Sequence, residues 1–158
     1  KDEVVNFYKE SKIKNNKYTF GNGNSLYACN IGVGNCTDFH SYFMSIGRTL
    51  KIPVRFHMGF LIPNSPKGRI EGYHCWVDYY AKGQGWHPVD ISEADKDPQK
   101  ADYFFGTLCN NRVDLMIGRD FTIDNYEEEV VNLFIYPLLE VNDQKSNGYS
   151  KKFSYKNL

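Results

Sequence analysis

Gly34-Asn35-Cys36-Thr37-Asp38-Phe39-His40-Ser41-Tyr42-Phe43-Met44-Ser45-Ile46-Gly47-Arg48-Thr49-Leu50 is the stretch on which the reading of the fold turns. Gly32 and Gly34 bracket a turn, and Asn35 is a good helix N-cap residue. Beyond it, Phe39, Tyr42, Phe43, Ile46 and Leu50 recur at offsets of 0, 3, 4, 7 and 11, one face of an α-helix. The spacing predicts a helix over 36–50 that buries this apolar face. Lys51-Ile52-Pro53 ends it, because the residue before proline avoids the helical region. Cys36 then lies in the first turn. Amides there lack helical partners and the dipole is positive, which favours a thiolate and suits an oxyanion.

Downstream, residues 73–80 read Tyr-His-Cys-Trp-Val-Asp-Tyr-Tyr, rich in aromatic and β-branched types, and 85–91 follow after Ala81-Lys82-Gly83. A hairpin is expected, with Gly83 in the left-handed position of a three-residue loop. With 81–83 as the loop, Tyr80 opposes Gln84, Asp78 opposes Trp86 and His74 opposes Asp90. Opposed side chains stand about 4.5–5.5 Å apart at Cβ, so the hairpin would hand a carboxylate to an imidazole. A thiol needs a base, and the base needs a group that orients it. Cys36, His74 and Asp90 are therefore the candidate triad. His40, one turn beyond Cys36, and His57 compete for the base role, and His87 alternates away from Asp90.

Taken in order, several motifs resemble the core of the transglutaminase-like superfamily. They are Gly34 to His40, Ile52-Pro53-Val54-Arg55-Phe56 with Gly59-Phe60, Gly72-Tyr73-His74-Cys75-Trp76, and Gly85-Trp86-His87-Pro88-Val89-Asp90. The nearest likeness is to the bacterial branch described as transglutaminase-like enzymes or cysteine proteases. Tyr103-Phe104-Phe105-Gly106-Thr107-Leu108, Arg112 and Gly118-Arg119-Asp120 resemble that branch too. The likeness covers roughly 30–140. It implies an α+β, papain-like transglutaminase core, with the catalytic helix packed on an antiparallel sheet. It also implies Cys36 as nucleophile, His74 as base and Asp90 as orienting acid. The reaction stays open, since members include cross-linking acyltransferases, amidases, peptide N-glycanases, peptidases and inactive scaffolds. Trp76 and Tyr73 are candidates for substrate contact. Trp76 shares the strand face of His74, with core packing the alternative. Asn30, or a residue near Tyr27, is the candidate second oxyanion donor.

The 158 residues suit one domain, 1–158, with its core at about 25–140. The 19 Lys and Arg balance 19 Asp and Glu, which argues against broad electrostatic binding of nucleic acid. The basic tail Lys145–Lys156 reads as a solvated terminal strand. Aromatic residues reach 16%, as expected of β-rich packing or of a peptide or glycan groove. No apolar run is long enough to span a bilayer. Without a signal peptide or initiator Met, the chain is expected to begin after processing or excision. The compartment is not legible, the lean being extracytoplasmic. Cys29 and Cys36 are expected to be free thiols, and Cys75 and Cys109 small core residues. Asp90, Glu93, Asp95 and Asp97 lack the glycine and closing glutamate of an EF-hand, and the Cys and His spacings do not match a zinc site. No metal or cofactor is expected.

Other expected elements are a helix over 2–13, a helical turn at 25–29 and a strand over 54–62. A loop over 63–71 and an acidic irregular segment over 92–102 follow, with a helical turn over 101–109. Further strands are expected near 112–117, 119–124, 132–140 and 149–155. The expected function is thiol-dependent acyl transfer or hydrolysis at peptide-like amides by a monomer, with a protein or peptide substrate. The rival is a non-catalytic peptide- or glycan-binding module that keeps the fold.

Overall fold

The structure, a computed structural model, describes residues 23–32, 34–124, 126, 131 and 138–157. The helix expected over 2–13 and most of the strand expected over 132–140 lie outside them. The described elements are α1 (Ser25–Ile31), α2 (Cys36–Thr49), β1 (Val54–Leu61), β2 (Lys67–Ile70), β3 (His74–Ala81) and β4 (Gly85–Val89). After these come α3 (Ile91–Lys96), a 3-10 turn (Pro98–Lys100), β5 (Arg112–Ile117), β6 (Glu140–Val141), β7 (Gln144–Lys145) and β8 (Phe153–Lys156). Four strands form an antiparallel sheet in the order β4-β3-β1-β5. The architecture is the α+β, papain-like one expected. Among the described residues, 23–56 with 75–109 form one compact unit and 57–74 with 110–157 a second.

In the first unit α2 lies against the start of β1 and against β3, but not by the face its apolar periodicity predicts. The buried residues are Thr37, Asp38, His40, Ser41, Met44 and Gly47. Tyr42, Ile46 and Leu50 stay 39%, 42% and 63% exposed. Polar side chains can face inward because they are hydrogen-bonded. Ser41 Oγ donates to the Thr37 carbonyl, and Thr37 Oγ1 meets Cys75 Sγ at 3.4 Å. Gly47 leaves room for Val54, whose side chain a Cβ at 47 would strike. Phe43, Ile46 and Leu50 of the apolar stripe instead line a surface groove of about 300 Å³ with Ile52, Val54, Tyr79 and Phe105.

The β3–β4 hairpin forms two residues out of step with expectation. Ala81 pairs with Gly85, Tyr80 with Trp86, Asp78 with Pro88 and Val77 with Val89. The ladder that was to oppose His74 and Asp90 therefore does not form in that register. Gly83, at φ +80°, sits in the Ala81–Gln84 turn, and Gly85 is also left-handed at φ +95°. The turn thus needs two glycines, and 82–84 is the loop. A slip of two keeps every side chain on its expected face; a slip of one would not.

The segment expected to be irregular after Asp90 is helical. Asp90 caps α3, accepting the Glu93 amide, and Ala94 N–H bonds to the Asp90 carbonyl. The signal was an N-cap acid with Glu three residues on.

In the second unit β1 and β5 pair through a bulge between Met58 and Gly59. A Cβ at 59 would run into the Val113 carbonyl, so only glycine fits there. The loop expected over 63–71 contains β2, paired antiparallel with β8. Phe60 packs on Phe153 with centroids 4.7 Å apart, and Ser65 Oγ bonds to Tyr155 Oη. Residues 119–124 are not a strand: Phe121 makes a single bridge to Val131. β6 and β7 form a hairpin around Asn142-Asp143, both at positive φ, the turn type that suits Asn and Asp.

Candidate active site

Cys36 is the first residue of α2 and is half-buried. Asn35 caps the helix as expected. Its Oδ1 accepts the amides of Thr37 at 2.9 Å and Asp38 at 3.3 Å. Asp38 completes a capping box, its Oδ2 taking the Asn35 amide at 3.0 Å and its Oδ1 the Gly23 amide at 3.0 Å. Asp38 is 1% exposed. A Cβ at Gly34 would lie 2.5 Å from Asp38 Cβ, which explains the glycine two residues before the cysteine. The amides of residues 37, 38 and 39 are all taken by Asn35, the last by its carbonyl at 3.0 Å. Of the first-turn amides, these three are committed to the cap. The sequence signal for this box is an N-cap Asn with an acid three residues on, here Asp in place of the usual Glu or Gln.

His40 is fully buried, its ring edge-on to Phe56 with centroids 6.5 Å apart. Its Nδ1 lies 2.6 Å from the Cys36 carbonyl oxygen, and its Nε2 accepts the Ile91 amide at 3.0 Å. Both ring nitrogens are therefore committed to backbone, which counts against His40 as the base.

Asp90 is fully buried just beyond β4. Its Oδ1 accepts from Ser92 Oγ at 2.9 Å and from the Glu93 amide at 3.0 Å. His40 Nε2 is 3.7 Å from the same oxygen. Because that nitrogen accepts the Ile91 N–H it has no proton for Asp90, so the two are not an ion pair.

His74 is the first residue of β3 and is buried. The boundary between the two compact units falls between His74 and Cys75. Trp76 is buried in β3, Tyr73 is half-buried just before it, and Asn30 is exposed on α1. In a strand His74 and Trp76 project to the same face. His57, the other rival base, is buried in the second unit with Nδ1 2.8 Å from Asp114 Oδ2. His87 stacks on Tyr79 with centroids 5.5 Å apart.

The four thiols are free, in different settings. Cys75 is fully buried, as expected of a core residue, whereas Cys109 is half-buried. Cys29 is exposed and its thiol donates to Tyr42 Oη at 3.6 Å. That neighbour pushes the Tyr42 phenol above its ordinary range. Among the described residues no cluster of three or more His, Cys, Asp and Glu side chains is arranged to hold a metal ion, and no helix is long and apolar enough to cross a membrane.

The family model described as the transglutaminase-like superfamily core matches residues 2–91. That span includes Cys36, His74 and Asp90. An uncharacterized protein of Haemophilus influenzae (strain ATCC 51907 / DSM 11121 / KW20 / Rd) is 29% identical over 184 aligned positions. The alignment covers 94% of this chain and 50% of the relative, so the chain spans about half the length of the curated relative it matches. No solved structure matches significantly. A family match over more than half of the chain, joined to an α+β fold with a capped cysteine helix beside an antiparallel sheet, assigns the chain to the transglutaminase-like superfamily.

Proposed function

We propose that the protein is a thiol enzyme acting on peptide-like amides through Cys36, His74 and Asp90. The observation that carries the reading is Cys36 at the start of a doubly capped helix, in a chain of this superfamily. A second observation supports it. Thr37 and Cys75, the chain neighbours of Cys36 and His74, touch through their side chains.

The chemistry follows the residue types. The Cys36 thiol passes its proton to the His74 imidazole, and the thiolate attacks the amide carbonyl carbon. Negative charge collects on the carbonyl oxygen, where the Cys36 amide is one donor. The C–N bond breaks as His74 returns the proton to the leaving amine, and a thioester remains on Cys36. Water then releases an acid, or a second amine forms a new amide and the reaction is cross-linking. Asp90 holds the imidazole in the tautomer that accepts the thiol proton. Trp76 and Tyr73 serve substrate contact or exclusion of water, and Asn30 is the candidate second oxyanion donor.

The test is labelling of the folded protein with iodoacetamide and with a thiol-reactive amide mimic, the modified thiols being identified by mass spectrometry. Exposure alone favours Cys29, which is exposed where Cys36 is half-buried. Activation favours Cys36. Fastest labelling at Cys36, slowed by His74→Ala, supports the triad. Fastest labelling at Cys29, with Cys36 indifferent to His74→Ala, supports the binding-module reading instead.

A further inference from the structure

His40 is a buried titratable side chain that the proposed chemistry does not use. Its two ring nitrogens join groups 55 positions apart along the sequence, Cys36 and Ile91, the first carrying the thiol and the second following Asp90. The direction of each bond is dictated by its partner. A backbone N–H only donates, so Nε2, which receives the Ile91 amide, is unprotonated. A backbone carbonyl only accepts, so Nδ1 carries the hydrogen and gives it to the Cys36 carbonyl. The ring is thus held neutral in one tautomer.

We propose that His40 is a positioning residue, a neutral Nδ1–H brace that ties the backbone of Cys36 to the first amide after Asp90. The proposal rests on reading Cys36 as nucleophile and Asp90 as orienting acid. Holding the Cys36 carbonyl fixes the Cys36–Thr37 peptide plane and, through the Cα it includes, the root of the Cys36 side chain. Fixing Ile91 holds the turn that presents Asp90. With Nε2 bare, His40 does not neutralise the Asp90 carboxylate 3.7 Å away. A hydrophobic residue at 40 could not do this: it would leave the Ile91 amide without its acceptor, and the Cys36 carbonyl with only its helical bond from the amide of residue 40. Glutamine could, because its amide donates at one atom and accepts at the other.

The tautomer is read directly by long-range proton–nitrogen NMR of the imidazole in the folded protein. A proton on Nδ1 with a bare Nε2 is expected, and the opposite tautomer overturns the brace. Function is read from the rate of iodoacetamide alkylation at Cys36 across pH, with circular dichroism as the folding control. His40→Phe and Ile91→Pro each sever the brace, the latter at the first helical residue, where proline is best tolerated. Both should slow alkylation of Cys36 on the order of tenfold or more and alter its pH profile, the size expected for a misplaced reacting group. His40→Gln should recover most of the rate. If His40→Phe does not fold, Ile91→Pro and His40→Gln still decide the matter. A folded Ile91→Pro protein with the wild-type profile, or a His40→Gln protein as slow as His40→Phe, overturns the brace. His74→Ala separates the two ideas: slow labelling in that variant with no effect of the brace variants sinks the brace alone, and normal labelling in it sinks the triad.

Discussion

Asp38→Ala should destabilise the protein more than Asn35→Ala, although Asn35 is the formal helix cap. The Asp38 carboxylate is 1% exposed and accepts the Gly23 and Asn35 amides, both at 3.0 Å. Hydrogen bonds to an ionised group contribute about 1.5–3 kcal/mol each. The two amides are only partly buried and water can replace some of what is lost, so about 3 kcal/mol is the working figure. For a domain of this size about 2–4 °C of Tm accompanies each kcal/mol, giving a fall of about 6–12 °C. Asn35→Ala removes an N-cap side chain, worth about 1 kcal/mol, or about 2–4 °C. Thermal unfolding followed by circular dichroism at fixed pH and scan rate measures both. Because the box holds the turn that carries Cys36, alkylation of Cys36 under native conditions should change with Asp38→Ala as well. A Tm loss within about 3 °C for Asp38→Ala, or an equal or larger loss for Asn35→Ala, would refute the argument that the buried carboxylate anchors this turn.

Two further outcomes follow from packing. Gly59→Ala should cost about 3 kcal/mol by overpacking, because its methyl group meets the Val113 carbonyl across the β1–β5 bulge; the urea midpoint measures it, and an unchanged midpoint would show that the bulge can open. Met44→Ala should cost about 2–4 kcal/mol and Leu50→Ala under about 0.5 kcal/mol, since the first is 5% and the second 63% exposed; the reverse order in chemical denaturation would restore the apolar stripe of α2 as its core face.

Some of this protein is legible in the chain alone. Asn35 and the run after it foretell a helix that the structure places at Cys36–Thr49, and period-two alternation foretells β1 at Val54–Leu61. Arg112–Ile117 is a strand as read. The order of the Cys36, His74 and Asp90 motifs points to the superfamily, which the family match bears out. These signals are local: a cap acts within one turn, and strand alternation repeats every second residue.

What only the tertiary structure decided depends on partners far along the chain. Periodicity shows that α2 has an apolar stripe, but the helix buries its opposite, polar side because Cys75, Ile91 and its own carbonyls satisfy those groups. β2 has too few residues and too little alternation to announce itself, and becomes a strand only by pairing with β8, more than eighty positions away. The register of the β3–β4 hairpin depended on a second left-handed glycine, Gly85, which residue type permits but does not require. His40 looked like a rival base while only its spacing from Cys36 was visible. The Ile91 amide at its other nitrogen is visible only in the fold, because a side chain's partners are set by what the fold places against it.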